Sequence, residues 1–277
     1  MKNVPQARLA QHCLRSVVSP DRCHRKIPGF TLVELLAVLA IVILIMALAG
    51  PTLLKLKGAG DVTSAAYDIS GLVENARAFA LANNTYTWVG FYEENNTALS
   101  ALPATPSPTP PYPGKGRVIM AAIASKDGTT IVNDSVSGTS VLDPTRFYQI
   151  NKNIKLENIH LVDIGAPDPT QDPNALGSRS SLPYNNTLQG PFSSQTRISS
   201  EGTEVTRRPF VSQGYTFYKT IRFNPRGEAQ INSTYTPKRC AEIGIIPTHG
   251  IIPDTASKNV VAIQFTGIAG NVKIYRR

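Results

Sequence analysis

Glu34 is the one ionisable side chain between Gly29 and Leu54, in the run GFTLVELLAVLAIVILIMALAGPTLL. A carboxylate set among apolar residues suits one kind of chemistry, ion pairing at low dielectric, since an unpaired charge there is costly. Either Glu34 meets a positive partner or it lies shallow enough to stay hydrated. Asp163, Asp168 and Asp172, in VDIGAPDPTQDP, offer oxygens to calcium. They lack the spacing and central glycine of an EF-hand, so a solvated loop is the simpler reading. Lys273, Arg276 and Arg277, joined by Arg226, Lys238 and Arg239, form a basic set able to contact phosphates such as those of DNA; a solubilising sheet end explains them as well. Beyond residue 29 only His160 and His249 remain of four histidines, far apart and without a Ser-His-Asp grouping. This argues against an enzyme, and no zinc spacing is present.

The element that positions Glu34 is the run itself. From Phe30 to Ala49 the residues are almost all Leu, Val, Ile, Ala and Met, and about 20 such residues at about 1.5 Å each span a bilayer's hydrocarbon core. Lys2, Arg8, Arg15, Arg22, Arg25 and Lys26 against Asp21 place +5 of the formal +9 ahead of it. That is the positive-inside flank of a segment whose remainder is exported. With Pro5, Pro20 and Pro28, residues 1–29 read as an unstructured leader or a retained cytoplasmic tail. A second reading takes Ala47-Leu48-Ala49 as the small-x-small site of a secretory signal, releasing a soluble protein from Gly50. Against it, the run exceeds the about 7 to 15 residues of such signals, contains a carboxylate and follows a long basic segment.

Gly50-Pro51 predicts a helix kink, because proline lacks the amide donor and crowds the preceding turn; Gly58-Ala59-Gly60 loosens the helix again. Val62, Ala65, Ile69, Leu72, Ala76, Phe79 and Ala80 recur every three or four residues. They mark one face of a helix that opens at Asp61 or Ser64 and closes at Asn83-Asn84, with Asp68, Glu74 and Arg77 on the wet face. Strands are predicted at 85–93, 117–125, once or twice within 147–164, at 215–223 and 228–231, with a closing hairpin at 260–266 and 271–275. Trp88 is expected in or beside the core, a ligand-stacking pair with Tyr92 being the alternative. PATPSPTPPYP reads as an extended exposed loop. Residues 165–214, rich in Pro, Ser, Gly, Asn and Thr, read as an inserted loop region or short edge strands. Of three cysteines only Cys240 follows residue 29, so no internal disulfide is expected after a cut there and Cys240 is expected to be buried.

Lys26-Ile27-Pro28-Gly29 followed by Phe30-Thr31-Leu32-Val33-Glu34 resembles the prepilin cleavage site of type IV pilins and type II secretion pseudopilins. The resemblance implies that a prepilin peptidase cuts after Gly29, removes 1–29 and methylates the new amino terminus, Phe30. Glu34 is then the fifth mature residue and Pro51 the family's kink proline. Residues 30–54 become the transmembrane part, and 55–84 the amphipathic continuation, of one long helix. Glu34 is expected to pair with the Phe30 amine of a neighbouring subunit and so to set axial register in a filament. IRFNPRGEA, with VVAIQFTG and GNVKIYRR, is similar to the carboxy-terminal sheet of H-type (GspH/FimT-like) minor pseudopilins. The two resemblances cover 26–93 and 215–277. They imply an α+β pilin-like fold: a long amino-terminal helix packed on an antiparallel sheet, with 85–277 a periplasmic β-rich domain and variable loops at 94–116 and 165–214. The expected role is structural, without cofactor: a subunit of a secretion pseudopilus or pilus-like filament. It would cross the bacterial inner membrane once, amino end cytoplasmic. Implied partners are the peptidase, other pilin or pseudopilin subunits and a secreted substrate protein. Some pseudopilins bind calcium, and some related minor pilins assist DNA uptake. A DNA-binding minor pilin is therefore one alternative, and a signal-anchored or secreted periplasmic binding protein another.

Overall fold

The computed structural model describes residues 31–99, 109–131, 141–164, 176, 179, 197–202, 209–231 and 240–276; the side chains of 48–59, 197 and 231 lie outside that description. Helix α1 spans Leu32–Ala82. The strands are β1 (Thr87–Asn95), β2 (Gly116–Ser125), β3 (Phe147–Gln149), β4 (Ile154–Val162), β5 (Arg197–Ile198), β6 (Phe210–Ser212) and β7 (Tyr215–Phe217). They continue as β8 (Lys219–Phe223), β9 (Ala229–Ile231), β10 (Ala241–His249), β11 (Ile252–Pro253), β12 (Val261–Phe265) and β13 (Val272–Arg276). Two compact units divide at Ala49–Gly50. The fold class is α+β, as expected.

In the second unit, Val62, Ala65, Ala66, Ile69, Leu72, Val73, Ala76 and Ala80 of α1 are buried in one core with Val89, Phe91, Val118, Met120, Ile221 and Ile263 of the sheet. The helical spacing seen in the sequence therefore marks the buried face. Neither Asp61 nor Ser64 starts a helix, because α1 is already running there. Asp61 instead accepts a hydrogen bond from Asn158 Nδ2 at 2.8 Å. The carboxy end does fall at the expected asparagines: Asn83 Nδ2 donates to Phe79 O, and Asn84 takes the left-handed conformation common after a helix end.

The main sheet runs β13-β12-β10-β4-β2-β1-β8-β9, with β11 and the parallel β5 on β10 and β3 on β2. It curls, for Ala229 N at one end donates to Gly267 O, beside the β12–β13 turn at the other, at 2.6 Å. Arg77 Nε of the helix donates to Gly227 O in the same place. On the far face, Trp88, Tyr92, Tyr112, Phe147, Phe210, Tyr215 and Phe217 form a second core beneath the β6–β7 hairpin. Gly90 admits that hairpin, since a Cβ there would lie 2.6 Å from Phe217 Cβ. Trp88 is 1% exposed, a core residue.

Two differences from the expected strands have physical causes. Residues 215–223 are not one strand: Phe217 turns onto Gly90 and stacks on Phe210, while Lys219–Phe223 pairs with β1. Strand β10 is not among the expected strands; it carries Gly244 and Pro247, residue types that disfavour strand interiors. Gly244 is needed there, as a Cβ would meet Val162 O of β4 at 2.4 Å, and Pro247 sits at the last pairing with β4. Residues 103–108 of the proline loop lie outside the described residues; Tyr112, within it, is buried rather than exposed.

Candidate functional site

Gly29 and Phe30 lie outside the described residues, and the site is visible from Thr31 onward. Thr31 caps α1, and Glu34 is the third helical residue. Thr31 N donates to Glu34 Oε2 at 2.9 Å, the threonine hydroxyl donates to the same oxygen at 2.9 Å, and Glu34 N donates to Thr31 Oγ1 at 3.3 Å. This reciprocal exchange is a capping box, which satisfies amides that a helix start leaves without partners. The sequence showed it as Thr-x-x-Glu, a signal the ion-pairing reading passed over. Glu34 therefore has two jobs to offer: it fixes where the helix begins, and it holds a negative charge four residues along the chain from residue 30.

Every residue from Thr31 to Ala47 is exposed, including twelve large apolar side chains from Leu32 to Met46. Hiding each is worth about 1.5 to 3 kcal/mol, so the surface demands cover, and a helix apolar all round finds it in lipid or among other helices. Among the described residues no helix is long and apolar enough to cross a membrane. Side-chain description stops at Ala47, short of the end of the apolar run, and Pro51 falls beyond it.

The other sequence candidates are dispersed. Asp163 follows the end of β4, while Asp168 and Asp172 lie outside the described residues, among which no metal-holding cluster of His, Cys, Asp or Glu occurs. Lys273 and Arg276 both sit on the edge strand β13 but three residues apart, so they point to opposite faces. The Arg276 guanidinium lies 5.9 Å over the Tyr67 ring. Lys238, Arg239 and Arg277 are outside the described residues. Cys240 is buried, as expected.

Sequence reasoning missed a buried polar centre around His160. Glu93 on β1 meets His160 on β4, with β2 paired between the two strands. Its carboxylate accepts from Gly116 N at 3.1 Å, Leu161 N at 3.2 Å, His160 Nδ1 at 2.9 Å and the Ser200 hydroxyl. The other ring nitrogen, His160 Nε2, lies 3.2 Å from Glu201 Oε1, which Lys115 approaches at 3.5 Å. Burial pushes the Glu201 carboxyl up, but His160 and Lys115 outweigh it and hold the group below its ordinary value.

A family model, the Prokaryotic N-terminal methylation motif, matches residues 24–50. No curated protein and no solved structure matches the chain. The matched stretch contains the Gly29-Phe30 junction, the capping box and the exposed apolar helix. It supports a type IV pilin-like protein processed by a prepilin peptidase.

Proposed function

We propose that the chain is a minor pseudopilin, a structural and non-enzymatic subunit of a type II secretion pseudopilus or a related pilus-like filament. It is made as a precursor, cut after Gly29 and methylated on Phe30. Residues 30–54 anchor it in the inner membrane with the amino end cytoplasmic and the sheet unit periplasmic. Assembly moves the apolar helix from lipid into a bundle of like helices, where Glu34 pairs with the Phe30 amine of a neighbour. The observation that carries this reading is the methylation motif lying on a helix whose exposed apolar surface contains one carboxylate, a turn from the cleavage point.

The test is mass spectrometry of the mature amino terminus from native membranes. Methylated Phe30 is expected. A chain beginning at Gly50 would mean a released secretory domain, and an intact Met1 a signal-anchored protein; either removes the filament subunit.

A further inference from the structure

We infer that Leu99, Ile251 and Ile252 form an apolar wedge that rests in the bilayer surface, a role that depends on the membrane-anchored reading proposed above. Outside the apolar run, eight large aliphatic or aromatic side chains are exposed among the described residues, and these three fall on two adjoining loops. Leu99 is 74% exposed and follows the turn that Asn95 and Ala98 close after β1. Ile251 and Ile252, 48% and 67% exposed, form the tip of the β10–β11 hairpin. The loops are neighbours, for a Cβ on Gly116 would lie 2.3 Å from Gly250 O and 3.4 Å from Asn96 Cβ. Single exposed aliphatic residues are ordinary; three side by side on turns, where polar residues are the usual choice, call for cover.

Their place in the second unit says what covers them. Gly116 pairs with Ile159 of β4, and the residue before that, Asn158, donates to Asp61, beside Val62, where the buried face of α1 begins. Strand β1 gives the same placement. Thr87, at its start, donates to Ala76 O, and the nine residues to Asn95 cover about 26 Å, the length of about 18 helical residues, which reaches back to the neighbourhood of Gly58. Both loops thus stand level with about residues 58 to 61, which is about 6 to 10 Å along the helix from Leu54, the last residue of the apolar run. A headgroup layer is about 5 to 8 Å deep. Lys55 and Lys57 occupy the turns between, where basic residues meet lipid phosphates. His249 and Asp254, whose side chains approach to 3.7 Å, flank the hairpin tip and suit the headgroups, leaving the isoleucines to reach toward the acyl boundary. The wedge would hold the sheet unit against the membrane until the subunit is drawn out of it.

The test places the full chain in vesicles of phosphatidylethanolamine and phosphatidylglycerol, with and without lipid brominated near the start of its acyl chains. Ile252→Trp and Leu99→Trp are the probes. Ile268→Trp is the control, being 74% exposed on the β12–β13 turn, where Gly270 lies against Arg77 toward the other end of the helix. Trp88 is buried and gives a background that the wild type measures. Both probes are expected to emit at shorter wavelength than Ile268→Trp and to lose about twofold or more of their emission to brominated lipid, as groups seated about 5 to 10 Å into the boundary would. Ile268→Trp is expected to lose none. Probes that stay unquenched while the chain floats with the vesicles would overturn the wedge and leave the anchor standing; a chain that does not float would overturn both. Equal quenching of all three variants would overturn the wedge. So would a shift without quenching that fades as copies are diluted among vesicles, since a second copy would then cover the loops.

Discussion

Glu93→Gln changes almost nothing in shape, yet it is expected to be among the most damaging single substitutions in the sheet. Everything that touches the Glu93 carboxylate donates: Gly116 N and His160 Nδ1 to one oxygen, Leu161 N and the Ser200 hydroxyl to the other. Glutamine replaces one oxygen with an NH2 group, which must face either the Gly116 or the Leu161 amide, and neither backbone donor can turn away. One orphaned buried donor costs about 1 to 3 kcal/mol. The expected loss is therefore about 1 to 3 kcal/mol, a sizeable share of the about 5 to 15 kcal/mol that holds a domain. Trp88, the single tryptophan, is buried in the second core and reports unfolding in urea through its emission. Glu201→Gln serves as the control, since Glu201 is partly exposed and should cost about 1 kcal/mol or less. A Glu93→Gln protein within about 1 kcal/mol of wild type would refute the reasoning, for it would mean that these donors find water or other partners.

Three further outcomes are expected. Gly244→Ala drives a Cβ toward Val162 O, a backbone atom that cannot yield without parting β10 from β4; a lowered thermal midpoint, worth about 1 to 3 kcal/mol, is expected. On the acid side, Arg146, Thr129 and Ser125 hold Asp127 well below the ordinary carboxylate range, and Glu201 is held down by His160 and Lys115 against the upward push of its burial. Depressed carboxylates stabilise the fold above their unfolded values, near about pH 4, and that stability is lost as pH falls through the folded values. Thermal midpoints should thus be level from about pH 5 upward in this respect and drop below about pH 4, less steeply in Arg146→Met. Glu34→Gln and Glu34→Ala separate the two jobs of Glu34, because glutamine can also close a capping box. Both variants are expected to be cut after Gly29 and to enter filaments poorly; normal incorporation of Glu34→Gln would reduce Glu34 to a cap.

The parts of the fold that were legible in the sequence are those governed by neighbours along the chain. The three-and-four spacing from Val62 to Ala80 marked the buried helix face, and alternation marked β1, β2, β12 and β13 to within about two residues. Where a strand depends on what lies across from it, the signal failed. Gly244 and Pro247 look like breakers until β4 is seen pressing on β10, and Phe217 looks like the middle of a strand until Gly90 is seen making room for it. The amino-terminal motif could be read because all its residues lie within one stretch. The His160 centre could not, since Glu93 is 67 residues from its partner and meets it only once β2 has paired with both β1 and β4.

Glu34 and Glu93 pose the same physical problem, a carboxylate among apolar residues, and the answers differ in a way that separates assembly from architecture. The main unit answers for Glu93 within one chain: two backbone amides, a hydroxyl and an imidazole leave it no capacity for anything else. Glu34 has only the start of its own helix. Thr31 supplies two donors, both to Oε2. No described residue supplies a cation, and the surrounding side chains are apolar and uncovered. If the helix enters lipid or a bundle of like helices, the remaining oxygen must be satisfied from outside the chain. The cation that the proposed cut would create at Phe30 lies four residues before Glu34 in every copy. On the proposed reading, a carboxylate only half satisfied at home, beside a cation newly made by processing, suits a junction with a second subunit better than it suits the fold that contains it.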